Sequence, residues 1–300
     1  MKIIVTGGAG FIGSHIVDEY IMLGFKVLVL DNLSTGKEEN INKNALFEKV
    51  DLKEKNKIKN IILNFKPDII NHHAYISNVN HAEKKGDKFL IENLHNLINL
   101  IEPSIGIIKQ FIFASSCAVY GDSVIPSKES DNLKPINIYG LSKLIIENYL
   151  IYFSKKYNFK YTILRYSNVY GPRNIKKSES GVIAVFINQI LKKKPLTIFG
   201  DGKNTRDFIY ISDVVRANIL CLNKDGIFNI GTGKETSINE LVETFEKILG
   251  YKLKRKYLNR DSGVRKSCVD TNFSQKVLGF KSKINIERGL KETLKFYEKS

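Results

Sequence analysis

Long hydrophobic runs are what this 300-residue chain most plainly lacks. None approaches the ~20 consecutive apolar residues of a membrane-spanning helix, so no membrane partner is expected. The N-terminal "MKIIVTGGAG" is no secretory leader either, because its short apolar stretch stops at glycines and reads as a buried first strand. Cysteine is scarce. Cys117, Cys221 and Cys268 are scattered, with neither paired nor metal-like spacing. That pattern suits a reducing, cytoplasmic setting and argues against a structural zinc site or any bound metal. Internal repeats and low-complexity linkers are missing as well. Acidic residues are in deficit: 31 Asp and Glu face 47 Lys and Arg, a net charge of +16. Such a balance can mark a nucleic-acid binder. Here the lysines are spread as singles and short runs ("LKKKP", "KLKRK") with no basic domain, so a solvated basic surface is the simpler reading and no nucleic-acid partner is expected. A modest electrostatic pull on a diphosphate is a secondary consequence.

What is present is an ordinary globular composition, 43% hydrophobic and 26% charged. Short β-rich runs alternate with helical patterns. "KIIVTG", "KVLVLD", "ALFEKVD", "PDIINHH", the end of "IEPSIGIIKQFIFASS" and "KYTILRYSNVYG" read as six strands. The segment from Phe11 to Leu23 and "LSKLIIENYLIYFSKKY" read as helices. This alternation predicts an α/β protein with a doubly wound parallel sheet. Beyond Gly171 the pattern loosens. Residues 1–172 are expected to form the sheet domain, with 206–232 returning to it, and 173–205 and 233–300 to build a smaller interleaved α/β lobe.

"VTGGAGFIGSH" follows the first strand and opens the first helix, with glycines at 7, 8, 10 and 13. That is the context in which a glycine-rich turn brings backbone N–H groups and a helix N-terminus up to a pyrophosphate. The alternative is a tight strand–helix turn with no ligand. Asp31 ends the second strand, where a carboxylate accepts hydrogen bonds from an adenosine ribose and repels a 2′-phosphate; NAD is therefore favoured over NADP. Asp51, after the third strand, is placed near the adenine or else caps its strand.

"NIYGLSK" sets Tyr139 and Lys143 four residues apart, on one helix face. Alone, the pair reads first as an ordinary surface pair. However, the fifth strand ends in "FASSCAVYG", and the carboxyl ends of parallel strands face the ligand crevice. Ser115 and Ser116 are thus expected to point toward the nicotinamide end of a dinucleotide, and serine, tyrosine and lysine converge there. Lys143 and a positive nicotinamide ring would both favour the phenolate of Tyr139. Arg206, in "NTRDF", needs an anionic partner; a diphosphate suits it, and an ion pair with Asp207 or Asp213 is the alternative.

Through "TGGAGFIGSH", "DNLSTGKEEN", "PDIINHHA", "SSCAVYG", "YGLSK", "LRYSNVYGPR", "FGDGKNTRDFIYISDV" and "FNIGTG", nearly the whole chain resembles the extended short-chain dehydrogenase/reductases, the NAD-dependent nucleotide-sugar epimerases and dehydratases. The resemblance implies a Rossmann domain holding NAD against Gly7, Gly10, Phe11, Ile12, Gly13, Asp31, Asn32, Asp51, Leu52, His73, Ala74, Asn93, Tyr139 and Lys143. It implies that Ser116 hydrogen-bonds the reacting sugar hydroxyl, that Tyr139 is the base, and that Lys143 binds the nicotinamide ribose and lowers the tyrosine pKa. Asn168 and Arg206 would hold the substrate diphosphate, with Arg260 a further candidate. The implied assembly is a homodimer built on the helix from Leu141 to Tyr157, whose apolar residues exceed one face. The chain departs from the pattern at Tyr75, where a small alanine is usual, and at Ser262 and Gly263. "NLHNLIN" also lacks the usual Gly-Thr after Asn93.

A 4,6-dehydratase of this kind carries an Asp-Glu pair after the catalytic hydroxyl residue, but here that place reads Cys117-Ala118. A 4-epimerase needs no further acid–base group. The expected activity is therefore a UDP-hexose 4-epimerase, an NAD-dependent isomerase closest in pattern to the UDP-glucose 4-epimerases. The alternatives are another activity of the family (UDP-glucuronate decarboxylase or epimerase, reductase, dehydratase), a non-enzymatic NAD-sensing or scaffold protein, or a nucleic-acid binder. The resemblance to the 4-epimerases further implies that a residue shortly after the late arginine borders the sugar 2-position; counting from Arg260 this is Ser267, whose small side chain would admit N-acetylhexosamines. The alternative there is an ordinary surface serine.

Overall fold

Aliphatic and β-branched runs too short for helices set the frame. The computed structural model describes residues 1–75, 79–174, 181–259 and 264–299. Strands β1 (Lys2–Thr6), β2 (Lys26–Asp31), β3 (Leu46–Lys49), β4 (Ile69–His72), β5 (Gln110–Ser116) and β6 (Lys160–Tyr166) pair in parallel. Between them run helices α1 (Phe11–Met22), α2 (Lys55–Phe65), α3 (Val79–Lys85), α4 (Asp87–Ile101) and α5 (Ile138–Tyr157).

The chain then departs from the expected single sixth strand. After Tyr166 a short β7 (Asn168–Tyr170) leaves the sheet. The remaining elements are α6 (Val182–Leu191), β8 (Leu196–Phe199), β9 (Thr205–Arg206), β10 (Phe208–Tyr210), α7 (Ile211–Leu220), β11 (Gly226–Ile230), β12 (Thr236–Ser237), α8 (Ile238–Leu249), β13 (Arg255–Leu258), β14 (Lys266–Ser267), α9 (Asn272–Leu278) and α10 (Ile286–Glu298). β11 closes the seven-stranded sheet, in the order β11-β6-β5-β4-β1-β2-β3, while β7 pairs with β10 and β9 lies between β12 and β14.

Both faces of the sheet are covered, which is why its strands are apolar at successive positions rather than alternating. Ile3 and Val5 pack with Ile16 and Val17 of α1 and Val214 of α7. Ile4 and Leu30 pack on the other face with Ile58 of α2, Leu97 of α4 and Ile146 of α5. Each such fully buried aliphatic side chain contributes roughly 1.5–3 kcal/mol. The first core runs on without a break through Phe186, Leu241, Phe245 and Leu290, so α6, α8 and α10 share it. Among the described residues no helix is long and apolar enough to cross a membrane.

Candidate active site

The glycine turn is built by contacts within the chain. Gly7 donates to the Leu30 carbonyl and Gly10 to the Gly7 carbonyl. A Cβ on Gly13 would lie 2.3 Å from the Gly7 oxygen, so only glycine lets α1 start this close to β1. Gly10 is the N-cap of α1; no side chain caps the helix and its first turn holds no acid. The first N–H groups and the positive end of the helix dipole are thereby left for an anion.

A cleft of about 460 Å³ opens over this turn along the carboxyl ends of the strands. All fourteen residues expected to hold the dinucleotide line it: Gly7, Gly10, Phe11, Ile12, Gly13, Asp31, Asn32, Asp51, Leu52, His73, Ala74, Asn93, Tyr139 and Lys143. Asp31 is buried. Its carboxylate accepts from the Ala9 N–H (3.0 Å) and the Leu33 N–H (2.8 Å), one bond per oxygen, which locks the loop and leaves lone pairs for the cleft. Asp51 accepts from Asn32 and from the Lys53 N–H. Burial alone would raise its pKa, but these bonds hold it below the usual carboxylate value. Two buried polar atoms on the cleft wall, His73 Nδ1 and Asn96 Oδ1, have no partner among the described residues. Unpaired polar atoms, an uncapped helix N-terminus and the Asp31 carboxylate in one cleft fit a dinucleotide.

Tyr139 stands in the first turn of α5. The helix starts at Ile138, three residues before the Leu141 start that the pattern suggested, because the Asn137 side chain caps it by accepting from the Gly140 N–H at 2.8 Å. Gly140 also permits a close approach, since a Cβ there would lie 2.5 Å from the Ala118 carbonyl. That contact brings Tyr139 to Ser116, whose hydroxyl acts on the phenol to lower its pKa. Burial pushes the Tyr139 phenol up to about 12, and the nearby Ser116 hydroxyl only partly offsets it. One turn on, Lys143 is 2% exposed and donates to the Ala114 carbonyl at 2.7 Å. Burial drives its pKa well below the ordinary lysine value, while Glu147 works the other way. The lowered tyrosine expected from sequence is therefore not produced by the protein's own groups, because desolvation exceeds them.

The two serines do not act alike. Ser115 borders the cleft, but its hydroxyl donates inward to Glu147, whereas Ser116 accepts from the Ala118 N–H and meets Tyr139. Successive residues of a strand face opposite sides, so only one can serve the site.

The substrate side is assembled from segments far apart in sequence. In β14, Ser267 is in register with Arg206 of β9. The Ser267 hydroxyl lies 3.6 Å from the Cys117 sulfur, next to Ser116. Asn168 donates its backbone N–H to the Asp207 carbonyl at 2.9 Å. The Asp207 carboxylate is taken by Thr232 and the Gly233 N–H, and Asp213 by Arg216 and the backbone of Lys283 and Ile284. Neither acid pairs with Arg206, so the ion-pair alternative fails: among the described residues no carboxylate meets this guanidinium. Burial lowers the Arg206 pKa, the signature of a cation held out of water. Arg260 lies outside the described residues, as do Ser262 and Gly263.

Several cleft residues escaped the sequence reading. Arg173 is tied to Asp18 at 2.8 Å, and Tyr166 hydrogen-bonds His73 at 3.1 Å. The quoted "LRYSNVYGPR" contains both, but nothing local says which of its residues reach the cleft.

Comparison with known proteins agrees with this geometry. The NAD dependent epimerase/dehydratase family matches residues 3–231. The chain is 41% identical over 298 residues to a putative UDP-glucose 4-epimerase of Methanocaldococcus jannaschii, covering 97% of each. A crystal structure of a Thermotoga maritima UDP-glucose 4-epimerase with UDP-glucose superposes with a TM-score of 0.96 at 40% identity, over 100% of this chain and 99% of that one. A UDP-N-acetylglucosamine 4-epimerase of Methanobrevibacter ruminantium, in complex with UDP-N-acetylmuramic acid, gives 0.93 at 35% identity, over 99% and 98%.

Proposed function

We propose, from the premise that this chain belongs to the NAD dependent epimerase/dehydratase family and is an NAD-dependent nucleotide-sugar epimerase, that its substrate is a UDP-hexose inverted at carbon 4. The observation that carries this reading is the presence of Tyr139 and Lys143 at one end of the dinucleotide cleft, with Ser116 beside the phenol. NAD bound there supplies the acceptor for the carbon 4 hydride and its return. Tyr139 takes the hydroxyl proton, directly or through Ser116, and gives it back to the carbon 4 oxygen as the hydride returns to the opposite face of the sugar. Lys143 supplies positive charge beside the phenol and a donor for the nicotinamide ribose. Arg206 and Asn168 anchor the diphosphate while the keto sugar turns over.

Elimination of water finds no support. Cys117 is held as a neutral thiol, its pKa raised by burial, and Ala118 offers only a backbone N–H. The proximity of the small Ser267 to Cys117 favours room for a 2-acetamido group, so UDP-N-acetylhexosamines belong to the same substrate range. A panel of UDP-glucose, UDP-galactose and their N-acetylamino counterparts, with product separation, tests both statements. The reading fails if no pair is interconverted, or if Tyr139→Phe retains turnover within a few-fold of the parent rather than losing at least ~10²-fold. On α5, Leu141 and Tyr152 are exposed beside a stack of Tyr149 on Phe153, an apolar stripe suited to a second copy of the chain. Light scattering at micromolar concentration showing a monomer would remove the dimer.

A further inference from the structure

Lys143 presents a problem that the site as described does not solve. Its ammonium is buried, and a buried cation needs compensation. The Ala114 carbonyl satisfies one of its three donors. Glu147, the acid one turn further along α5, is already held by Arg165 and Ser115. The compensation comes from rings. The Lys143 nitrogen lies 3.3 Å from the centroid of Tyr75 and 4.7 Å from that of Phe113. The Tyr75 ring is itself fixed. It stands edge-on to Phe89 and Tyr139, at 5.8 and 6.0 Å between centroids. Its hydroxyl is hydrogen-bonded to Ser142, which lies between Tyr139 and Lys143 on α5. Ser142 donates its one hydroxyl proton to the Tyr139 carbonyl, so Tyr75 must be the donor in this bond.

We propose that Tyr75 is a positioning residue: its ring face seats the Lys143 ammonium beside Tyr139. A desolvated cation–π contact offsets part of the lost hydration. The ring holds the Lys143 nitrogen in place, 5.8 Å from the Tyr139 centroid, and favours its charged form, which in turn favours the phenolate.

The other groups facing Lys143 do not take over this part. His72 at the end of β4 and His73 just after it are pushed down to about 3 by burial and then by Lys143 itself, so they stay neutral. On β6, Arg165 is spent on Glu147, and Tyr166 stays protonated because burial raises its pKa. Cys117, beyond β5, is a raised thiol. From α4 the neighbour is the uncharged Phe89, and Glu83 of α3 is engaged by the Ile138 N–H. The burial of Tyr75 raises its own pKa, keeping the hydroxyl a donor.

The proposal rests on the reading of Tyr139 as the base, yet it is tested without turnover. The ionisation of Tyr139 is followed by phenolate absorbance in NAD-saturated protein, as the difference from Tyr139→Phe in the same background. Tyr75→Leu, or Tyr75→Met if the leucine variant does not fold, should raise the midpoint by about one pH unit, the tenfold effect of a lost buried cation–π contact. Tyr75→Phe keeps the ring and should keep the parent midpoint. Phe89→Leu, which borders Tyr75 without facing Lys143, should leave the midpoint in place. The pH profile of kcat should move with the titration. An unchanged midpoint in the leucine or methionine variant overturns the proposal. So does an equal shift in Tyr75→Phe, which would assign the effect to the Ser142 bond, or in Phe89→Leu, which would assign it to packing. A protein that titrates as expected but turns over no UDP-sugar would refute the substrate and leave this seat intact.

Discussion

Glu147→Gln removes one charge from the most deeply buried ion pair of the fold's described residues. Glu147 and Arg165 are each 1% exposed. The guanidinium grips both carboxylate oxygens, Nε to Oε1 at 3.1 Å and Nη2 to Oε2 at 2.7 Å. Ser115 also donates to Oε1, and Arg165 reaches the Tyr120 hydroxyl at 3.0 Å, which in turn donates to Asn229 at 2.6 Å. Glutamine keeps the shape but replaces one acceptor oxygen by a donor. That donor faces either the guanidinium or Ser115, and the arginine is left as a buried charge without a counter-ion. Breaking such a pair costs about 3–5 kcal/mol, a large share of the ~5–15 kcal/mol that holds an ordinary domain together. Urea unfolding followed by circular dichroism reads this as a lowered midpoint at unchanged slope. Removing the whole constellation, with Glu147→Met, Arg165→Met and Ser115→Ala together, should recover most of the loss, because the desolvation penalty leaves with the charges. A single-variant loss below about 1 kcal/mol would refute this reasoning. A triple variant as unstable as the single one would refute it too, since packing and not charge would then be the cause.

Three further outcomes follow from the site. Asp31→Ala should weaken NAD by about 1.5–3 kcal/mol, the worth of a charge-assisted bond, and narrow the preference over NADP; unchanged affinity in calorimetry would mean that the carboxylate only staples Ala9 and Leu33. Ser267→Tyr puts a phenol where a hydroxyl now lies 3.6 Å from Cys117. At an overpacking cost of ~1–3 kcal/mol, it should lower kcat/KM for the N-acetylated pair while sparing the plain hexoses, and an equal effect on both pairs would defeat the gate. His72 is 1% exposed, and burial, then the charge of Lys143, brings it from 6.5 to about 3. The unfolded chain thus binds the extra proton between those values, so the stability this histidine confers is whole above pH 6.5 and is lost as pH falls toward 3, at about 1.4 kcal/mol per pH unit. His72→Gln should flatten that part of the acid limb in urea titrations, and parallel limbs would show that the imidazole titrates as in the unfolded chain.

What the sequence by itself determined is what short spacing can encode. The glycine turn, the strand before it and the helix after it are contiguous, so backbone sterics alone announce the dinucleotide cleft. Tyr139 and Lys143 share a helix face because four residues make about one turn. The doubly wound sheet follows from runs of apolar residues that can be buried only on both faces. Tertiary structure decided whatever depends on which distant segments meet. Ser115 and Ser116 are chemically alike in the sequence; the buried carboxylate of Glu147 claims the first and leaves the second for Tyr139. Arg206 is followed directly by an acid, yet Asp207 is drawn away by Thr232 and Gly233, which frees the guanidinium for an anion. Ser267 reaches Cys117 across 150 positions only because β14 pairs with β9. Tyr75, a misfit by pattern, becomes the seat of Lys143 once β4 and α5 are brought together. Backbone geometry repeats every few residues and is written locally, whereas the partner of a buried polar group is chosen by the whole packed core, where an unpaired charge or donor costs more than any local preference.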